Sequence, residues 1–515
     1  MNTAAFSDKK GFYLSVRFAS LFAAAHIVLV LLQTNFVPLS GGWNIVWLSF
    51  ELLLGFGAFM IVLGCLLYAL VNHTNSLQSF ETFYTDVRSP GMLFLTLWTL
   101  WAYAACLMAI REGRATFYHN VRYLFYQTAD LLVLFPLGVY FGRRKQTKLL
   151  AIVYDSCMAL LTAQLLYGFV RFFCGDSKFT AFFGRTFDYS ILRAIIGVNS
   201  NHTGAYTAFF LVAGIWRFCS LHSRTGKALL AASELVCFTA FVMTESRGAI
   251  LGMTASIGVW AGAAFWRSGR FSPPVRMICS AFCCVIAASV FLVVYYGSRT
   301  AVLSLQNNVL ERSYIASQAK VSAVDHPEAD PAAADQSGAD SDTKSGKDLP
   351  GGGNTPYIAP AAGASGDQER RDLIGSGAST LGGRTKIWIT VIRGAAGDRH
   401  ILLHGTSMAN TSDWVATVYG KAFRTHNQFL ELLVAEGLPA LLLFLLWLCW
   451  VAGRSISLGL SADAGPEWVL PLSLLLLIVH NMVEMMLVAR PHVVCGFFYL
   501  IAGYTAGFAP TKKTV

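Results

Sequence analysis

Runs of about twenty apolar residues recur along the whole chain, each long enough to cross roughly 30 Å of hydrocarbon. A segment inside a bilayer must satisfy its own backbone polar groups, which confines such runs to helices or a closed barrel, and their length selects helices. Composition agrees. Of 515 residues, 55% are hydrophobic and only 13% are charged, about half the charged share of an ordinary soluble domain. The sequence therefore predicts an all-α, polytopic transmembrane bundle of about 12 helices. Its candidate spans are 12–32, 44–70, 91–110, 122–142, 149–171, 200–218, 228–245, 248–266, 277–297, 430–453, 467–488 and 491–509. The first run follows Lys9 and Lys10 with no small-residue cleavage site after it, and reads as a retained helix.

A net charge of +10 would suit a nucleic-acid partner if it formed a patch, but the basic residues are dispersed in short loops beside the apolar runs. Arg143, Arg144, Lys145 and Lys148 follow the fourth span, Arg224 and Lys227 the sixth, and Arg267, Arg270 and Arg276 the eighth. Arg454 follows the tenth span, and Lys512 and Lys513 close the chain. With an even number of spans they share one side with Lys9 and Lys10. The positive-inside rule makes that side the cytoplasm, with both termini there. The expected partners are membrane lipids and no nucleic acid. One loop departs from the pattern: Arg111, Arg114 and Arg122, with His119, fall on the outer side. They could receive an anionic headgroup or diphosphate, although a solvated or headgroup-contacting loop is the plainer reading. Most of the 11 cysteines lie within apolar runs, and no CxxC pair occurs in a polar loop, so neither a disulfide framework nor a zinc site is expected.

The chain divides into spans one to nine (1–297), an outer loop (298–425) and the last three spans (426–515). Within the loop, 321–379 is rich in Ala, Gly, Asp, Ser and Pro, and cannot bury enough apolar surface to offset its ordering entropy. It is expected to be a disordered insert. The following 381–419 carries Ile387, Trp388, Ile389, Val391 and Ile392 at helical intervals, and is expected to form a packed helical cap.

Four polar clusters fall at outer membrane edges. They are Asn201 with His202, Glu245 with Ser246 and Arg247, Arg384 alone, and Arg424 with His426 and Asn427. A guanidinium is permanently charged and grips phosphate oxygens in pairs, while an imidazole exchanges protons near neutral pH. Together they match transfer from a diphosphate-linked lipid, with arginines stabilising the departing diphosphate and histidine taking the proton of an attacking hydroxyl. No DxD or His-rich constellation lies within these four clusters, which favours chemistry without a metal or other cofactor. Each residue also has a plainer role open to it. His426 suits a helix start, Arg247 an anchor for two helix ends with Glu245, and Arg384 an ion pair with an acidic residue. His480 and Glu484, four apart in span eleven, share a face and suit either a functional or a structural pair. Glu51, Asp155 and Glu234 receive no assignment. If the tenth helix continues outward, His426 stands about 15 Å beyond Glu436. Gly437 and Pro439 mark close packing and a bend.

The stretch HNQFLELLVAEGLPA, with His426, Asn427 and Gly437, resembles the signature of the O-antigen ligase and O-antigen polymerase superfamily, although Ala440 replaces its last glycine. TESRGAILGM is similar to that family's Ser-Arg-Gly turn, GRTKIW to its loop arginine before a tryptophan, and LLHGTS to the glycine-containing segment after it. NSNHTGAYTAFFL resembles its Asn-His segment. The resemblance covers about 195–490. It implies a metal-independent membrane glycosyltransferase that moves a glycan from undecaprenyl diphosphate to a glycolipid, protein or wall-polymer acceptor outside the cytoplasmic membrane. By position it assigns Arg247 and Arg384 to the donor diphosphate and His426 to the acceptor hydroxyl. Asn427, Arg424, His202, Asn201 and Glu245 are then substrate-binding candidates. A polymerase of the same fold is the alternative. A transporter of the lipid-linked glycan fits less well, because the polar clusters lie on one side and no internal repeat is evident.

Overall fold

The computed structural model describes residues 16–17, 19–31, 57, 89–113, 115, 117–173, 200–244, 246–324, 381–420, 422–461, 465–488 and 492–508. The second candidate span lies outside the described residues except for Gly57, and so does 325–380, nearly all of the expected insert. Among the described residues there are helices and turns but no strand.

The helices are α1 (Ala19–Leu31), α2 (Pro90–Arg111), α3 (Phe117–Thr128), α4 (Phe135–Arg143), α5 (Lys148–Phe173), α6 (Ser200–Ser220), α7 (Arg224–Thr244) and α8 (Arg247–Arg267). They continue with α9 (Pro273–Val324), α10 (Leu381–Gly397), α11 (Arg399–His404), α12 (Thr411–Tyr419), α13 (Gln428–Leu460), α14 (Leu470–Asn481) and α15 (Val493–Gly507). A π-helical segment, Ala129–Leu134, joins α3 to α4. Seven described segments are long and apolar enough to cross a membrane, and the chain is a multi-pass membrane protein. α1, Pro466–Asn481 and α15 are apolar but shorter.

α15 is the axis of the bundle. It is apolar all round, and every one of its residues is buried, as expected of a helix enclosed by others. Against it lies α4, and glycines bring the two backbones together. A Cβ on Gly138 would stand 2.2 Å from Leu500 O, on Gly142 2.1 Å from Tyr504 O, on Gly503 2.1 Å from Phe135 O and on Gly507 2.2 Å from Val139 O. Each helix thus contributes a Gly-x-x-x-Gly pair to one seam, a close approach that helices in lipid achieve through small residues. Because the neighbour is backbone and cannot give way, Gly503→Leu is expected to cost about 3 kcal/mol or more, the upper end of overpacking costs. Gly453→Leu, which meets nothing within 4 Å, should leave stability nearly unchanged. Thermal unfolding of the two purified variants in detergent checks the pair; equal losses would contradict the seam.

At the opposite edge, α9 leans on α8 through Gly258 and Gly262, whose added Cβ atoms would meet Cys284 and Ser280. Only 6% of its apolar window is buried within the protein, leaving the rest for lipid. Its 52 residues amount to about 78 Å of helix at 1.5 Å per residue, well past the expected span 277–297, so the start of the expected outer loop continues this helix.

Two arginines clamp one end of the bundle. Arg454 donates to Ala506 O (3.0 Å) and Phe508 O (3.2 Å), and Arg267 donates to Ser461 O (2.5 Å) and Gly459 O (3.2 Å). These bonds satisfy carbonyls that helix ends leave open. Lys145 lies over the Phe508 ring at the same end. The beginnings of α6, α8 and α13 and the end of α14 lie at the other end, where the polar clusters are.

Between α9 and α13 the described residues form α10, α11 and α12, referred to as the cap. Ile387 and Val391 pack with Val415 of α12 and Val434 of α13, whereas Ile389 and Ile392 are exposed. The cap also explains the bend in α13. Gly437 has φ 81°, and Pro439 has no N–H, so the carbonyls of Val434 and Ala435 lose their helical donors. Thr406 N donates to Val434 O and Ser407 N to Ala435 O, both at 2.8 Å. The Gly405 segment fits there because a Cβ at either Gly405 or Gly437 would strike the other segment's backbone at 2.3 Å.

Candidate active site

Asn427 starts α13. Its Oδ1 accepts from the N–H groups of Phe429 (3.0 Å) and Leu430 (3.1 Å), the bonding of an N-cap. Its Nδ2 reaches across to Met482 O at 2.9 Å. One residue earlier, His426 has φ 48°, the left-handed region that non-glycine residues enter at a cost. The chain therefore turns off the helix axis before His426, and the 15 Å axial extrapolation does not apply.

A buried carboxylate enforces that turn. Glu431 is fully buried on its side chain and accepts from Arg424 Nη1 (2.8 Å) and Thr411 Oγ1 (2.7 Å) at Oε1. Its Oε2 accepts from Thr425 Oγ1 (2.9 Å) and Thr425 N (3.4 Å). Arg424 also donates to Met408 O and Thr411 Oγ1, so it ties the turn to the cap, as does Trp388 Nε1 by donating to Thr425 O at 2.8 Å. Removing one partner of a buried pair strands the others. Glu431→Ala should therefore cost about 3–5 kcal/mol, seen as a lower unfolding midpoint, and unchanged stability would show that Glu431 is not holding the turn.

The centre of the site is Glu484, a residue given no firm role by the sequence. Periodicity extends span eleven to 488, but α14 ends at Asn481, and Glu484 lies in the turn beyond it. It is therefore not on a shared helical face with His480. Its side chain is 2% exposed. Oε1 accepts from Asn201 Nδ2 (2.5 Å) and Arg384 Nη2 (2.9 Å), and Oε2 faces His426 Nδ1 at 3.3 Å. Arg384 Nη1 also donates to the carbonyl of Val483. Burial opposes the charge of Glu484, but the hydrogen bond from His426 and the positive charges of His426, Arg384 and His480 outweigh it. They hold the carboxyl at about 2, against an ordinary 4.5.

Three of the four clusters thus meet on one carboxylate or beside it: α6 through Asn201, the loop arginine Arg384 on α10, and His426. The Ser-Arg-Gly turn borders the same place. A Cβ on Gly248 would lie 2.6 Å from Val483 Cγ2 and 2.9 Å from His480 Nδ1, and one on Gly204 would lie 2.5 Å from Ser246 Cβ. Arg247, between Ser246 and Gly248, is exposed. His202 packs edge-on against His492, with ring centroids 4.5 Å apart, and the Tyr206 hydroxyl is 2.9 Å from His492 Nδ1. Arg424 is drawn to Glu431 instead. Glu245, Arg114 and the side chains of His119 and Arg122 lie outside the described residues, and Arg111 is exposed at the end of α2.

Chemically, the arrangement is a histidine held by a buried carboxylate, with the Arg384 guanidinium on the Val483–Glu484 turn and Arg247 next to Gly248, which packs against that turn. With the hydrogen on Nδ1 directed at Glu484, Nε2 is the basic nitrogen, the tautomer that a hydrogen-bonded carboxylate selects. No curated protein matches the chain. Residues 232–445 match the family model described as O-Antigen ligase, a stretch that holds Arg247, Arg384, Arg424, His426 and Asn427, while Asn201, His202 and Glu484 lie outside it. Over this stretch the chain is similar to the O-antigen ligase family.

Proposed function

We propose that this protein is a metal-independent glycosyltransferase that moves a glycan from an undecaprenyl-diphosphate-linked donor to an acceptor hydroxyl at the outer face of the cytoplasmic membrane. The reading is supported above all by the hydrogen bond between His426 Nδ1 and Glu484 Oε2, which prepares Nε2 to accept a proton. The acceptor oxygen attacks the anomeric carbon of the glycan and gives its proton to Nε2. The bond from that carbon to the diphosphate breaks, and its electron pair leaves with the lipid diphosphate. The positive charge of Arg247 and Arg384 favours that departure, and the start of α8 adds the positive end of a helix dipole. Opposite this end lie the arginine-clamped helix ends and Lys145; by the positive-inside rule they face the cytoplasm, which supports an outward-facing site. The acceptor is a glycolipid, a protein or a wall polymer.

Surface polysaccharide from a strain lacking the gene tests this reading. A ligase predicts full-length glycan accumulating on its lipid carrier with none attached to the acceptor. A polymerase of the same fold would instead leave single repeats attached and no long chains. Unaltered attachment and chain length would overturn both.

A further inference from the structure

We infer that the exposed face of α10, continued by α11, is a docking surface for anionic phospholipid headgroups in the leaflet at this end of the bundle. The inference concerns how the cap is anchored and stands apart from the proposed transfer.

Packing sets the direction and depth of α10. Ile387 and Val391 share a buried cluster with Val434, and Ala395 shares one with Leu433. From Ile387 to Ala395, about 12 Å of helix, α10 thus meets adjacent residues of α13, so it lies across that helix. Because α13 crosses the membrane, a helix lying across it runs along the bilayer surface. Val434 stands 20 residues before Arg454, about 30 Å of helix and so about the thickness of the hydrocarbon. The crossing is therefore at the headgroup boundary. From there α11 descends, because a Cβ on Gly437, one turn deeper in α13, would meet Leu403 O at 2.3 Å.

The face left open has the composition of an interfacial helix. Ile389, Ile392 and Ala396 recur at helical spacing and are exposed, the two isoleucines at 45% and 49%. Lys386 and Arg393, two turns apart, flank that stripe along one edge and are also exposed. On α11, His400 and His404 turn towards α2, where they meet Glu112 at 2.5 Å and the Trp101 ring. Its open side carries Arg399 and, one turn deeper, Leu403, which is 48% exposed. Apolar side chains thus lie beside or below basic ones, the order in which a leaflet presents phosphates and hydrocarbon. Lys386, Arg393 and Arg399 form no ion pair among the described residues. Arg384 takes no part, being turned to Glu484. The contrast is α12, whose exposed side chains are those of Asp413 and Thr417, a surface suited to water. Cations beside an apolar stripe select an anionic lipid over a zwitterionic one, by about fivefold for each cation near the surface.

Photo-cross-linking reads this surface directly. Full-length protein carrying p-benzoylphenylalanine in place of Ile392, or in place of Thr417 as the water-facing control, is placed in nanodiscs. The lipids are phosphatidylglycerol and phosphatidylcholine with identical acyl chains, in equal amounts. Mass spectrometry after irradiation should find lipid adducts at position 392 and almost none at 417. At 392, phosphatidylglycerol adducts should outnumber phosphatidylcholine adducts about tenfold or more. Lys386→Gln, Arg393→Gln and Arg399→Gln together should bring the two adducts to near equality. Arg393→Gln alone should lower the ratio about fivefold, and it carries the comparison if the triple variant does not fold. Lipid labelling as strong at 417 as at 392, or a ratio that the substitutions leave unmoved, would overturn the inference. So would adducts at 392 to the chain itself or to a second copy, since protein would then cover this face.

Discussion

His426→Asn lowers the transfer rate about 10²–10⁴-fold, the contribution of a positioned general base, while the protein stays folded. Asparagine is the informative replacement because His426 has φ 48°, and asparagine tolerates the left-handed region better than other L residues except glycine. The variant thus keeps the turn held by Glu431, Thr425 and the Asn427 cap and removes the imidazole alone. His426→Ala would remove the base too, but it would add backbone strain. Transfer assayed with purified protein, beside thermal unfolding, reads both quantities. Retained activity in a folded His426→Asn variant would show that the acceptor is activated by some other group.

Glu484→Ala is expected to be the most damaging single change at the site, lowering stability by about 3–5 kcal/mol, because it leaves the guanidinium of Arg384 buried without its anion. Asn201 and His426 lose the same acceptor. The pH dependence follows from the depressed carboxyl. A group whose folded value lies below its ordinary one contributes stability that is fully present above the ordinary value and is lost as pH falls through the folded one. For Glu484 the window runs from about 4.5 down to about 2. Wild-type protein should therefore lose stability across that acid range, and Glu484→Gln should lack this component of the loss. Unfolding midpoints between pH 6 and pH 3, taken for both proteins, test it. Parallel curves would mean that Glu484 is not held ionised by its neighbours.

Much of this site was legible before any coordinates, and the reason is physical. Polar residues at the edges of apolar spans are conspicuous, so Asn201, Arg247 and His426 stand out against their surroundings, and Arg384 stands out as a basic residue before the apolar helical pattern of 387–392. The bend in α13 was legible too, since Gly437 and Pro439 each disturb a helix in a known way. Glu484 was not. Met482, Met485, Met486, Leu487 and Val488 prolong the apolar run of α14, and hydropathy has no means of seeing that the helix stops at Asn481. The stop is made by one local and one tertiary bond: Asn481 Oδ1 accepts from Met486 N at 2.6 Å, and Gln428 Oε1, from α13, accepts from Leu487 N at 2.9 Å. Arg424 misled in the opposite sense. Its charge marks it as a phosphate ligand beside His426, and only the burial of Glu431 one helical turn into α13 shows where that charge is spent. Arg384 combined both of its readings, being an ion-paired arginine whose partner belongs to the site.

The central claim is that one end of this bundle holds an imidazole, its orienting carboxylate and a guanidinium around a departing lipid diphosphate. The most direct measurement follows purified protein in lipid nanodiscs, given a labelled glycan on undecaprenyl diphosphate and an acceptor glycolipid, with a chelator present. The account predicts that labelled acceptor and free lipid diphosphate appear in equal amounts, and that both are lost in the His426→Asn and Arg247→Gln proteins. Equal product from wild type and both variants would contradict it.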